Sequence, residues 1–224
     1  MSKKIYLSPS NQSGNLYAYG RTNECDQCNR IADAAKTALE RCGFSVRKAP
    51  KGQDMEVSIR ESNSWGADLH LPIHTNAGGG AGTVVFVYEQ SEENLKPARA
   101  IYQEVQAVTP GQTLYGVRTL SQLAELNSTN AIAVYLEVDF HDNAQIAKWL
   151  TEHPQTVGEA IAKGICKNYG VPYQAPGGSL TPAGKKTVYR IQVGAFADRT
   201  NAEAFLKKVQ AAGFSDAFLT QAVI

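Results

Sequence analysis

The feature that most constrains this chain is a strand–helix–strand pattern at its start. Residues 4–8 form a short apolar run that ends at Pro9, and after a polar loop the apolar residues of 31–39 recur at helical spacing. Gly43 follows as a helix stop, and Phe44-Ser-Val-Arg-Lys is a second β-prone run. Two strands joined by a helix run parallel, so this opening predicts an α/β fold with a mostly parallel, twisted sheet flanked by helices.

The patterns that follow extend this prediction along the chain. Further strands are expected at Ala67–His74, Thr83–Tyr88 and Ala131–Phe140, and helices around Arg60 and Glu61, over 93–108 and over 144–168. Residues 112–127 favour neither a helix nor a strand. The carboxyl ends of parallel strands share one edge of a sheet, so we expect functional side chains there.

A change in composition divides the chain into three parts. Residues 1–172 carry the α/β pattern, and residues 173–186 are rich in Pro, Gly and Ser, as a linker is. Residues 187–224 read as a small βαβ module with strands near 188–194 and 217–220 and a helix over 201–212. A unit of under 40 residues is near the lower limit for independent folding.

Charge and composition narrow the classes of function. The net charge is +1, with −2 over residues 1–172 and +3 over residues 173–224, which does not favour nucleic-acid binding. The mildly basic end of the chain suits either a solvated surface or a module that touches an anionic polymer. Four cysteines are too few for a disulfide framework. No apolar run reaches the roughly 18 residues of a membrane span, so we expect no membrane partner.

Targeting signals are not recognisable in the first residues. Two lysines stand near the N-terminus, but no apolar segment follows them. We therefore expect synthesis in the cytoplasm without a signal peptide, and any action outside the cell would need release by another factor.

Two histidines stand four residues apart on the strand predicted at 67–74. His70 and His74 therefore point to the same face, which suits metal binding or acid–base chemistry. His74 lies at the end of the strand, before a glycine loop, whereas His70 lies deeper. Either histidine alone could equally be a packed, hydrogen-bonded core residue.

Two glutamates are the candidate partners of these histidines. Glu137 stands in Ala-Val-Tyr-Leu-Glu-Val-Asp-Phe, a run typical of a strand buried on both faces. A carboxylate there needs a metal, a cation or a reacting water beside it, or an ion pair with a residue such as Arg118. Glu24 precedes the first predicted helix, where a carboxylate also stabilises the helix dipole. Its loop follows the first strand and should lie at the same sheet edge as His74.

Taken together, several segments resemble one family. These are Ile5 to Ser8, Glu24 with Asn29-Arg-Ile-Ala-Asp, Gly43-Phe-Ser-Val, Pro72-Ile-His-Thr-Asn-Ala and Ala133-Val-Tyr-Leu-Glu-Val-Asp-Phe. Over residues 3–170 the chain resembles the zinc-dependent N-acetylmuramoyl-L-alanine amidases of the amidase-3 type. The resemblance implies that Glu24 and His74 bind Zn²⁺ and that Glu137 is the catalytic general base and acid. It also implies substrate contact for Asn76, and His141 is a further candidate because it follows Glu137 closely.

The third zinc ligand of that family, a histidine after the first strand, falls at Asn11. An amide oxygen coordinates zinc more weakly than an imidazole does. Three interpretations stay open. Gln12 or Asn11 supplies a weak ligand, or His70 or His141 takes the place, or the metal site is degraded.

The last segment resembles a second family. Val188-Tyr-Arg-Ile-Gln-Val-Gly-Ala-Phe, Asn201-Ala-Glu-Ala and Ala211-Ala-Gly-Phe are similar to the first half of a SPOR domain, a peptidoglycan-binding module. Half a module either suffices alone, pairs with that of a second chain in a homodimer, or is a fragment.

Two functions follow as hypotheses. The chain is a peptidoglycan hydrolase, of the kind that a phage or prophage uses as an endolysin, which cleaves the amide between N-acetylmuramic acid and L-alanine with zinc-activated water. Alternatively it is a non-catalytic cell-wall-binding protein whose metal site is lost.

Overall fold

A computed structural model describes residues 2–177, 194–214, 217 and 219. Within these residues the strands are β1 (Lys4–Pro9), β2 (Ser45–Lys48), β3 (Leu69–Asn76), β4 (Val84–Val87), β5 (Gly116–Thr119), β6 (Ile132–Ala133) and β7 (Tyr135–Phe140). The helices are α1 (Glu24–Arg41), α2 (Met55–Trp65), α3 (Glu92–Gln106), α4 (Ala124–Asn127), α5 (Ala144–Glu152), α6 (Pro154–Tyr169) and α7 (Arg199–Ala211).

The strands form one sheet in the order β2-β1-β3-β7-β4-β5, and β6 pairs with β3. All paired strands are parallel except β4 and β7, which run antiparallel. The predicted α/β fold is confirmed, with one antiparallel pairing inside a mostly parallel sheet. The carboxyl ends of β1, β3 and β7 therefore lie at one edge of the sheet, where open α/β sheets place their sites.

The central strands are buried on both faces by helices, as their continuous apolar sequences require. In β1 and β3, the residues Ile5, Leu7, Leu71 and Ile73 are fully buried. Helix α1 packs closely on α6, because a Cβ at Gly158 would stand 2.5 Å from Cβ of Ala34. This tight packing fixes the position of α1, and with it the position of the helix N-terminus at the sheet edge.

Residues 131–140 differ from the sequence prediction, and residues 112–127, for which the sequence favoured no element, have a defined structure. The run predicted as one strand over 131–140 is divided at Val134, whose N–H donates to the carbonyl of His70 at 3.0 Å. Both parts, β6 and β7, pair with β3. The ambiguous residues 112–127 contain the short strand β5 and the one-turn helix α4.

The chain divides into two compact units, residues 1–180 and 181–224. In the second, α7 confirms the helix expected at 201–212, and Asp198 caps it by accepting from the N–H of Asn201 at 3.0 Å. The strands predicted at 188–194 and 217–220, and most of the predicted linker, lie outside the described residues. Among the described residues, no helix combines the length and apolar character needed to cross a membrane.

Candidate active site

Two buried side chains meet at the carboxyl edge of the sheet. Glu24 is the first residue of α1, and His74 lies near the end of β3. Nδ1 of His74 donates to Oε1 of Glu24 at 2.8 Å, and the two residues are 7% and 1% exposed. The structure thus brings together the two residues that the family resemblance marks as metal ligands.

The loop before α1 fixes one oxygen of the Glu24 carboxylate, and β3 fixes the other. The side chain of Asn23 caps the helix by accepting from the N–H of Asp26 at 2.8 Å. Nδ2 of Asn15 donates to Oε2 of Glu24 at 2.7 Å, and the N–H of Glu24 donates to the carbonyl of Asn15 at 2.9 Å. Glu24 is therefore held in one orientation, towards β3.

The contact between Glu24 and His74 shifts the pKa of both groups. Burial raises the pKa of Glu24, but the hydrogen bonds from His74 and Asn15 outweigh it and bring the pKa below its ordinary value. Burial lowers the pKa of His74, whereas Glu24 and the carboxylates of Glu137 and Glu125 raise it above its ordinary value. Both shifts favour the charged forms of the pair, and a metal cation that displaced the proton of His74 would meet a carboxylate and a neutral imidazole.

Glu137 stands beside His74 in the sheet, since the two residues are partners in the parallel register of β3 and β7. Its Oε2 is buried and accepts no hydrogen bond from the described residues. Burial raises the pKa of Glu137 to about 7, with the nearby His74 lowering it and Glu24 raising it. The alternative partner Arg118 instead lies over the ring of Tyr115, 5.2 Å from the centroid, and forms no ion pair among the described residues.

The two amide residues after β1 are engaged elsewhere. Asn11 is exposed, and its Nδ2 donates to the carbonyl of Gln53 at 3.2 Å. Oε1 of Gln12 accepts from Nδ2 of Asn15 at 2.5 Å, the same amide group that donates to Glu24. Gln12 therefore lies nearer to Glu24 in the hydrogen-bond network than Asn11 does, and its role as a ligand stays a prediction.

His70, the deeper histidine, is bonded to a glutamate that the sequence analysis did not single out. Nε2 of His70 lies 3.2 Å from Oε1 of Glu125, which also accepts a short hydrogen bond from Oγ of Ser8. His70 and Glu125 are 0% and 4% exposed. The only sequence signal for Glu125 is a charged residue between Ala124 and Leu126 in a segment without clear periodicity.

His141 and Asn76, the predicted substrate contacts, serve to join loops at the sheet edge. Nδ1 of His141 donates to the carbonyl of Thr75 at 2.9 Å, and its ring stacks on Tyr17 at a centroid distance of 5.1 Å. The N–H of His141 donates to the carbonyl of Asn76 at 2.8 Å. His141 is 4% exposed, whereas the side chain of Asn76 is partly exposed beside His74 on β3, so Asn76 is the more accessible of the two.

The donor chemistry of Glu24 and His74 fits a zinc ion. Carboxylate oxygen and imidazole nitrogen are ordinary zinc ligands, and the two side chains are already in contact. The unpaired oxygen of Glu137 lies close by, where it could act on a group held at the ion. In the part of the chain that the structure describes, no three His, Cys, Asp or Glu side chains are spaced to hold a metal together. The pair could therefore supply two of the three protein ligands that catalytic zinc sites use.

Family models match both parts of the chain. The model for N-acetylmuramoyl-L-alanine amidase, amidase-3 type, matches residues 9–167, and the SPOR domain model matches residues 169–221. The first match covers well over half of the sequence, so the chain belongs to the amidase-3 family. Both resemblances seen in the sequence are confirmed.

Two curated relatives carry the same family name. N-acetylmuramoyl-L-alanine amidase CwlM of Bacillus licheniformis is 28% identical over 168 residues, which are 72% of this chain and 62% of that protein. The sporulation-specific N-acetylmuramoyl-L-alanine amidase of Bacillus subtilis is 27% identical over 96% of this chain and 84% of its own length. The chain thus spans less than two thirds of the first relative and most of the second.

Solved structures show the same fold. The catalytic domain of CwlV, an N-acetylmuramoyl-L-alanine amidase from Bacillus (Paenibacillus) polymyxa var. colistinus, superposes with a TM-score of 0.68 at 18% identity, covering 76% of this chain and 99% of that one. The catalytic domain of the CD27L endolysin that targets Clostridia difficile gives 0.61 at 24% identity, covering 73% and 96%.

Proposed function

We propose that the chain is a peptidoglycan hydrolase that cleaves the amide between N-acetylmuramic acid and L-alanine of the stem peptide. The observation that carries this proposal is the Glu137 carboxylate, which has a buried, unpaired oxygen next to the Glu24–His74 pair. Membership of the amidase-3 family and the relatives named as amidases support the same reaction.

The residues that would hold zinc are Glu24 and His74, with Gln12 or Asn11 as the amide alternative for a third ligand. When bound, zinc supplies a Lewis acid for the amide carbonyl and for the attacking water. Asn15 keeps Glu24 turned towards the site, and the ring of Tyr135 stacks on His74 at a centroid distance of 4.6 Å. These contacts hold both side chains in place during the reaction.

Glu137 moves the proton in this mechanism. Its pKa of about 7 lies near neutral pH, which suits a group that both accepts and returns a proton. Oε2 of Glu137 takes a proton from the attacking water and returns it to the nitrogen of the leaving L-alanine. Because no described residue is bonded to that oxygen, no contact among them has to break first.

The test replaces Glu137 by glutamine, which keeps the shape and removes the base. We expect Glu137→Gln to lower the release of peptides with N-terminal L-alanine from purified sacculi by at least about 100-fold. The melting temperature and the zinc content should stay as in the wild type.

The matched control is Glu159→Gln. Glu159 is a poorly exposed carboxylate paired with Arg41 at 2.6 Å on α6, away from the site, so this variant should lose stability and keep the rate. A Glu137→Gln protein with near-normal activity would contradict the assignment. A wild-type protein that sediments with sacculi but releases no peptide would favour the alternative, a wall-binding protein without catalysis.

We further propose that the segment matched by the SPOR model binds peptidoglycan and pairs two chains as a homodimer. Its large apolar side chains Phe196, Phe214 and Leu219 are 45%, 63% and 44% exposed, and no described residue of α7 is buried. One small unit with so much exposed apolar surface gains stability by association.

Truncation after Gly177 tests this second proposal. Residues 173 and 174, which open the predicted linker, belong to the first unit and are bonded to its helices. Oη of Tyr173 donates to Glu159 of α6 at 2.5 Å, and the carbonyl of Gln174 accepts from Arg41 of α1 at 2.8 Å. The truncated chain should therefore stay folded and sediment as a monomer, whereas the full chain sediments as a dimer. Binding to insoluble sacculi should weaken in the truncated chain. Equal masses and equal binding would overturn both parts of the proposal.

The biological setting that we propose is lysis by a phage or prophage, with the enzyme acting on the cell wall after release. The structural likeness to the CD27L endolysin supports this setting. The sporulation-specific relative, which matches nearly the whole chain, points instead to a host function. Transcript levels after prophage induction and during sporulation distinguish the two settings, since an endolysin transcript rises only on induction.

A further inference from the structure

Glu125 is a buried carboxylate at the site that the mechanism above does not use. It lies in the one-turn helix α4 and is 4% exposed. Its Oε1 accepts hydrogen bonds from Ser8 at the end of β1 and from His70 on β3, and its Oε2 accepts none from the described residues. One oxygen therefore anchors the side chain to the sheet, and the other is available to a ligand.

Glu125 shares a cavity with the amidase site. The cavity has a volume of about 200 Å³, and Ser10, Gln12, His74, Glu125 and Tyr135 contribute to its walls. It opens where the family has the histidine after β1, the position taken by Asn11 in this chain. A carboxylate thus stands in the same cavity as the amides that replace the missing imidazole.

The carboxylates around this cavity favour the binding of a cation. Three glutamates, Glu24, Glu125 and Glu137, lie around His74. Among the described residues, Oε2 of Glu137 is buried without a partner. Buried carboxylates in such excess are stable only when a cation or a metal balances them.

We propose that Glu125 is the third protein ligand of the metal, in place of the histidine that the chain lacks after β1. This inference rests on the proposed function, in which Glu24 and His74 hold zinc. A glutamate oxygen is an ordinary zinc ligand, whereas the amides of Asn11 and Gln12 are weaker and already bonded elsewhere. Among the described residues no three acidic or histidine side chains are spaced to hold an ion, so Glu125 would have to turn its Oε2 towards His74 to complete the site.

The experiment measures zinc binding by the full-length chain, with zinc per chain from elemental analysis and affinity from competition with a chelator. Glu125→Gln should weaken zinc affinity by at least about 100-fold, the upper end of what loss of a supporting residue alone produces. Glu159→Gln, a carboxylate outside the site, should bind zinc as the wild type does. Adding Asn11→His to Glu125→Gln restores an imidazole after β1 and should recover most of the lost affinity.

The outcomes separate the two proposals. If the wild type binds no zinc, the metal-dependent function fails, and this inference fails with it. If the wild type binds zinc and Glu125→Gln binds it equally well, only the role of Glu125 is overturned. A loss that Asn11→His does not recover also overturns it, because Glu125 would then support the fold rather than the ion.

A second variant covers the case in which Glu125→Gln does not fold. Glu125→His exchanges one zinc-binding side chain for another and should keep zinc bound, with a zinc-dependent rise in melting temperature like that of the wild type. A folded Glu125→His protein that binds no zinc contradicts the proposal.

Discussion

Two histidines on the same face of β3 are each bonded to a glutamate from a helix, and the two pairs differ in their surroundings. His74 at the strand end bonds Glu24 at 2.8 Å, and His70, four residues deeper, lies 3.2 Å from Glu125. Each histidine also stacks on a tyrosine, His74 on Tyr135 and His70 on Tyr6. Nearly the same local chemistry therefore occurs at two positions of β3, four residues apart.

The difference between the pairs lies in their surroundings. In the part of the chain that the structure describes, Glu137 beside His74 has a carboxylate oxygen without a partner, and the fully buried His70 has an Nδ1 without one. Glu24 is held by Asn15, which belongs to the loop at the sheet edge, whereas Glu125 is held by Ser8 inside the sheet. We infer that depth along the strand separates the two roles: His74 at the sheet edge would bind the metal, and His70 would position the Glu125 carboxylate.

The largest effect on zinc binding is expected from replacing His74. His74→Gln removes the imidazole and leaves Glu24 in place, so we expect zinc affinity to fall by at least about 100-fold, since even loss of a supporting residue costs 10- to 100-fold. Peptide release from sacculi should fall with it. Zinc per chain after dialysis checks the result, and a variant that retains zinc would show that His74 is not a ligand.

The matched change at the deeper position should have a smaller effect. His70→Phe keeps an aromatic ring against Tyr6 but removes the Nε2 donor to Glu125. We expect the free energy of unfolding to fall by about 1–3 kcal/mol, because a buried carboxylate loses a partner. Zinc affinity should fall only about tenfold, as for an outer-shell residue.

Chemical denaturation and chelator competition measure these two quantities on the same sample. Equal zinc loss in His70→Phe and His74→Gln would mean that His70 itself takes the vacant ligand position, one of the alternatives that the sequence leaves open. The distinction between the two pairs would then be wrong.

Most of the fold and the position of the edge pair could be predicted from local sequence. The apolar run ending at Pro9 and the helical spacing after it imply parallel strands, and parallel strands bring the loop with Glu24 to the end of the strand with His74. Glu137 was recognisable because a carboxylate in a doubly buried strand needs a reason to be there. These inferences depend only on periodicity and on the general geometry of sheets.

Glu125 and the amides after β1 could not be placed in this way. Helix α4 has four residues, fewer than the length at which helical periodicity becomes visible, and so short a helix depends mainly on tertiary contacts for its stability. Asn11 donates to Gln53, which is 42 residues away in the sequence, and the bond between Gln12 and Asn15 depends on the conformation of an irregular loop. His141 likewise has no local signal for its stacking on Tyr17.

The smallest effect is expected from Ser8→Ala, which tests how the Glu125 carboxylate is held. Oγ of Ser8 donates to the same oxygen of Glu125 that His70 approaches, so its loss leaves Glu125 anchored by His70 alone. We expect the free energy of unfolding to fall by about 1 kcal/mol, the usual net value of one hydrogen bond. Zinc affinity should fall by less than about tenfold, because Glu125 keeps its charge and can still turn towards the ion.

A double-mutant cycle decides whether Ser8 acts on zinc through Glu125. In the Glu125→Gln background, Ser8→Ala should cause no further loss of zinc affinity, since the carboxylate that it positions is gone. Additive losses would mean that Ser8 and Glu125 act on the metal site independently. The small effect of Ser8→Ala on zinc would then reflect a change in the end of β1 rather than in the ligand.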